Sequence, residues 1–179
     1  MLVPMPEDKY VNVDGINTRY WFVGNQGSPV ILIHGFGGSV EIWQHNVMAL
    51  SKNHRVYALD IVGFGRSDKP SGGYSPSFFL NHLNGFITAM KVGKANIVGH
   101  SMGGGLSLIY ALAYPEKVDK LVLADSAGLG DKIIFSLRLM CLPILGELMS
   151  IPSRKTTYLF FKPAVFDSRI LTDDFIELY

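Results

Sequence analysis

Apolar and polar positions alternate along KYVNVDGINTRYWFVG, residues 9–24, in two runs separated by Asp14-Gly15. Period-two alternation around an Asp-Gly pair predicts a β-hairpin. The pattern then changes. PVILIHG, residues 29–35, is a continuous apolar run ending in Gly35, as a parallel strand covered on both faces would be. Residues 39–51 place Ile42, Trp43, Val47 and Leu50 at helical spacing behind Ser39, a candidate N-cap, and predict one helix. HRVYALD is the next strand, ending at Asp60. A loop rich in Gly, Pro and Ser follows, then a helix over about 77–90, the strand KANIVGH, the helix MGGGLSLIYALAYPE stopped by Pro115, and the strand VDKLVLADS.

A hairpin followed by alternating strands and helices predicts an α/β fold: a mostly parallel sheet with helices on both faces. From residue 127 onward the strand signal ends. Residues 127–179 carry Leu-, Met- and Phe-rich helical segments broken at Pro143, Pro152 and Pro163. The expected organisation is therefore a core over 1–126 and an appended helical cap over 127–179.

Composition narrows the class. Apolar residues make up 48% of the 179 and charged residues 17%, enough for one well-packed domain and too apolar for disorder. With a net charge of +1 and no basic stripe, nucleic acid is not an expected partner. The longest apolar stretch, residues 133–151, is interrupted by Arg138, Pro143, Gly146 and Glu147, which argues for a lid or a surface-lying segment rather than a membrane span. The start, MLVPMPEDKY, lacks the features of a secretory signal, and the lone Cys141 cannot form an internal disulfide, so a reducing, cytoplasmic setting is expected. No cofactor or metal is expected.

The chemistry concentrates at IVGHSMGGG, residues 97–105. Gly-X-Ser-X-Gly between a strand and a helix makes a turn so tight that side chains at 99 and 103 would collide. Glycine removes the collisions and leaves Ser101 raised on strained backbone as a nucleophile. HGFGG, residues 34–38, follows the first parallel strand, where glycines let the Phe36 N–H pair with the Met102 N–H as an oxyanion hole. A dinucleotide fingerprint fits poorly, because Val40 stands where its third glycine belongs. His34 and His100 are expected to shape their loops, as are Gly63, Gly65, Arg66 and Asp68 in DIVGFGRSDKP, with Phe64 open to a substrate contact.

HGFGG, DIVGFGRSDKP and GHSMGG at these spacings resemble the α/β-hydrolase superfamily, in particular its cap-bearing esterases, lipase-like enzymes and carbon–carbon bond hydrolases. The resemblance covers residues 9–126 and implies eight strands ordered 1-2-4-3-5-6-7-8 with a cap after strand six, of which this chain holds strands one to six. Relatives that open epoxides or displace halide carry Asp at the nucleophile position. Ser101 instead implies acyl transfer on an ester-like or other activated carbonyl of a small apolar substrate.

The resemblance also implies a triad in the chain order Ser, acid, His. The five histidines, His34, His45, His54, His82 and His100, all precede Ser101. Asp125, at the end of strand six, stands where a minority of relatives place the acid. The chain is therefore expected to be the N-terminal two-thirds of a hydrolase whose acid and histidine lie beyond residue 179. Its alternative is a truncated, non-catalytic relative that binds a ligand or partner. An apolar parallel strand, KLVLA, left at an open edge supports the first expectation.

Overall fold

Period two within an all-apolar strand sends neighbouring side chains to opposite faces, so both faces must be covered. In the computed structural model, Pro29–Ile33 forms such a strand, β3. Val30 and Leu32 join Trp21, Val40, Trp43 and Val47 on one face, while Ile31 and Ile33 join Leu83, Phe86, Leu106 and Tyr110 on the other. The structure describes residues 5–130, 153–162, 165, 167–173 and 176. Cys141 and the apolar stretch 133–151 lie outside them.

Strands β1 (Lys9–Val13) and β2 (Ile16–Val23) form the expected hairpin, with Val13 opposite Ile16 and both Asp14 and Gly15 at positive φ. The remaining strands are β4 (Arg55–Leu59), β5 (Ala95–His100) and β6 (Val118–Ala124). The six strands are ordered β1-β2-β4-β3-β5-β6. The hairpin joins β4 antiparallel, and β4, β3, β5 and β6 run parallel. Parallel strands open all their following loops at one end of the sheet. The turn after β3, the loop after β4 and the corner after β5 are thereby gathered there.

Four helices are described: α1 (Val47–Leu50), α2 (Pro76–Ala89), α3 (Met102–Ala113) and α4 (Arg154–Phe161). Ser75 caps α2 by accepting the Phe78 N–H, with Pro76 at the first helical position, where its missing N–H costs nothing. The single helix expected over 39–51 is not formed. A 3₁₀ turn at Val40–Trp43 is separated from the one-turn α1, and the Ser39 side chain makes no capping bond. Long-range bonds fix the start of that turn instead: the Val40 N–H is taken by Asp60 Oδ1 at 2.7 Å, and the Glu41 carboxylate by Arg19.

Contacts divide the chain into two compact units, Met1–Leu129 and Gly130–Tyr179. In the second, Ser153 caps α4 through the Thr156 N–H, and Asp167 accepts the Arg169 N–H to open a 3₁₀ turn at Ser168–Ile170. Among the described residues no helix is long and apolar enough to cross a membrane.

Candidate active site

The corner after β5 is built by contact. Ser101 has φ 51° and ψ −118°, a conformation that side-chain-bearing residues rarely adopt. A Cβ on Gly99 would stand 2.3 Å from the Gly103 carbonyl oxygen and the Ser107 hydroxyl. A Cβ on Gly103 would stand 2.3 Å from the His34 carbonyl oxygen and 2.4 Å from that of Ile33. The first turn of α3 is therefore pressed against the end of β3. The Ser101 N–H donates to the Ala124 carbonyl, while the Ser101 carbonyl accepts from Gly104, Gly105 and Ala127. Four main-chain hydrogen bonds thus fix the Ser101 backbone.

The turn after β3 meets this corner. A Cβ on Gly35 would lie 3.0 Å from Ser101 Cβ. Gly35 O accepts the Gly38 N–H at 3.1 Å, and Gly37 sits at φ +69°, so residues 35–38 form a β-turn whose second residue, Phe36, keeps its N–H out of the turn bond. Among the described residues, no acceptor meets the Phe36 or Met102 N–H. The structure thus brings Ser101, Phe36 and Met102 to one end of the sheet, with Gly35, the neighbour of Phe36, against the Ser101 side chain.

The Phe36 side chain is 42% exposed and stands edge-on to Phe64 at 5.5 Å. Phe64 also meets the His34 ring and stacks on Phe79 of α2. An aromatic surface therefore runs from the turn after β3 across the loop after β4.

The histidines take other positions. His34 is fully buried, and burial holds its pKa below the ordinary value. Its Nε2 accepts the Ile61 N–H at 3.0 Å, so Nδ1 carries the proton and donates to Gly35 O at 2.7 Å. His54 bonds Ser28, before the start of β3, at the far end of the sheet, and His82 of α2 bonds Thr18 on β2. His100 packs beneath Gly35 with Nδ1 buried and unpartnered; burial lowers its pKa against the opposing pull of Asp125. Among the described residues no histidine nitrogen hydrogen-bonds the Ser101 hydroxyl. Nor do three His, Cys, Asp or Glu side chains converge as metal ligands would.

The model of the alpha/beta hydrolase fold family matches residues 28–140, which include every element of this site. The chain belongs to that family. Among its relatives, the 2-hydroxy-6-oxo-6-(2'-aminophenyl)hexa-2,4-dienoic acid hydrolase of Metapseudomonas resinovorans is 42% identical over 135 residues, covering 73% of this chain and 46% of the relative. The 2-hydroxy-6-oxo-2,4-heptadienoate hydrolase of Pseudomonas putida is 33% identical over 174 residues, covering 95% of this chain and 60% of the relative. The solved meta-cleavage product hydrolase of Pseudomonas fluorescens IP01, an acetate-bound mutant, superposes with a TM-score of 0.82 at 35% identity, covering 95% of this chain and 61% of that one. The chain thus spans about half the length of the curated relatives it matches.

One feature of this α/β hydrolase escapes motif reading. Arg19, 2% exposed, bonds both oxygens of Glu41 (3.1 and 2.7 Å), Asp60 Oδ2 at 3.2 Å and Asp8 Oδ1 at 2.6 Å. Burial acts to raise the Glu41 pKa, but the bonds and charge of Arg19 outweigh it and hold the carboxyl below its usual range. The signal was present in NTRYWF: Arg19 shares a strand face with Trp21, and a buried face commits its arginine to carboxylates.

Proposed function

We propose that Ser101 is the nucleophile of a hydrolase that cleaves an activated bond beside a carbonyl in a small apolar substrate, with the Phe36 and Met102 N–H groups holding the oxyanion. The relatives' substrates favour a carbon–carbon bond of a conjugated 2-hydroxy-6-oxo dienoic acid over an ester. Attack of the Ser101 hydroxyl on the ketone carbon would form a carbon–oxygen bond. Collapse of the intermediate would break the adjacent carbon–carbon bond, its electron pair taken up by the conjugated system with a proton. Water would then release the acid from Ser101. Residues 127–179 are read as a helical cap segment, and the compartment as cytoplasmic.

The observation that carries the reading is the Ser101 corner, with φ 51° and the Gly35 turn against it. The mechanism needs an imidazole base from outside the five histidines of this chain, because none of them bonds the hydroxyl. That same observation favours a second reading, in which the chain keeps the corner and binds a ligand without turnover. A fluorophosphonate probe separates them. Labelling that disappears in Ser101→Ala, together with loss of the dienoate chromophore on incubation, supports the hydrolase. Folded protein that takes up no probe supports the binding protein.

A further inference from the structure

The oxyanion turn is fastened at both ends, and both fastenings lead to two adjacent residues at the end of β4. At one end, His34 takes the Ile61 N–H on Nε2 and gives its Nδ1 proton to Gly35 O. At the other, Asp60 Oδ1 takes the Val40 N–H at 2.7 Å. Val40 opens a 3₁₀ turn, so its N–H has no partner within that turn. A surface loop would leave such a donor to water. Here a fully buried carboxylate fills the role.

The carboxylate itself cannot drift. Its second oxygen accepts the Arg66 N–H at 2.8 Å and Arg19 Nη1 at 3.2 Å, and Arg19 is held in turn by Glu41. Asp8 takes Arg19 on one oxygen and the Arg66 side chain on the other, both at 2.6 Å. Gly65 is folded so closely over Asp60 that a Cβ there would stand 2.2 Å from Oδ2. One side chain thus locates the turn bearing Phe36 and the loop bearing Phe64 in a single frame.

We infer that Asp60 is a positioning residue, acting through the Val40 N–H and with His34, that sets the Phe36 N–H where negative charge develops. The inference rests on the reading of Phe36 as an oxyanion donor. A carboxylate that served only to neutralise Arg19 would have no need of the Val40 bond. The two roles can therefore be separated by deleting that bond alone.

Val40→Pro does so. Ser39 lies at φ −154° and ψ 179°, the extended conformation that suits a residue before proline, and proline fits the first position of a helical turn. Asp60→Asn weakens the same bond from the other side while keeping the side chain's shape. The readout is fluorophosphonate inactivation of Ser101, resolved into kinact and KI. Each variant should lose about ten- to hundredfold in kinact with KI within about threefold, the effect of a misplaced transition-state donor. The double variant should be no slower than Asp60→Asn alone, because both changes remove one interaction.

Val40→Pro inactivated at the wild-type rate, or losses that multiply in the double variant, would overturn the inference. If Asp60→Asn fails to fold, Val40→Pro alone decides. If the wild-type protein is itself inert, the hydrolase reading fails, and the anchor is judged by amide exchange. Faster exchange at Phe36 and Gly37 in Val40→Pro sustains it, and unchanged exchange there rejects it.

Discussion

The corner after β5 and the turn after β3 both present an unpaired main-chain N–H at the same end of the sheet, yet they are held in different ways. At the corner, Gly99 and Gly103 let backbone pack on backbone, and the one titratable neighbour, His100, packs beneath Gly35 without a hydrogen bond from Nδ1. At the turn, His34 and Asp60 do the holding, and Asp60 depends on Arg19 and Glu41 behind it. Steric location is indifferent to pH and intolerant of any added atom. Location by buried polar groups tolerates small changes of volume but depends on charge state. The two main-chain donors therefore have different vulnerabilities.

The largest expected effect breaks the polar side. Arg19→Met leaves Glu41 and Asp60 buried without their cation and should cost about 3–5 kcal/mol in urea unfolding. A loss no larger than the roughly 1 kcal/mol of an exposed pair would remove the distinction between the two regions. Next, Gly103→Ala drives a methyl into the Ile33 and His34 carbonyls and should cost about 3 kcal/mol. That cost should be equal on either side of the histidine titration range, because no proton is involved. A pH-dependent cost would show that the corner also leans on a titrating group.

Acidification tests the polar side without mutation. Burial lowers the His82 pKa from 6.5 to about 4 and acts in the same direction on His34. Between those two values the unfolded chain binds protons that the folded chain refuses. Stability should therefore be flat above the unfolded value and fall as pH drops through the window, by on the order of 3 kcal/mol for His82. His82→Gln should flatten the decline in thermal melts across this range, and an unaltered slope would assign the proton uptake elsewhere. The smallest effect is a gain: Ser101→Gly relieves a side chain at φ 51° and should add about 1 kcal/mol while abolishing probe labelling. A loss of stability there would mean that the corner is not strained.

The steric region was the legible one. Glycine spacing around Ser101, the hairpin at Asp14-Gly15 and the apolar runs of β3, β4 and β5 are local signals, whereas the sheet order was expected only from the family resemblance, which it matches. The polar region was opaque because its partners are far apart in the chain. Ser39 to Ser51 carries a helical pattern, but the partners of its first turn, Asp60 on the Val40 N–H and Arg19 on Glu41, lie twenty or more residues away in the chain. Arg19 sits in an alternating strand where a charged residue reads as solvent-facing. Only the neighbouring Trp21 on the same face hints otherwise, and naming Glu41 and Asp60 as partners requires the fold.

The Ser101 carbonyl receives three N–H groups, and one of them, from Ala127, belongs to the chain just leaving β6. Whatever polypeptide continues from Ala127 thus departs from a point clamped to the Ser101 corner itself. A change in the path of the chain at Ala127 is thereby transmitted directly to the backbone of Ser101, with no side chain in between.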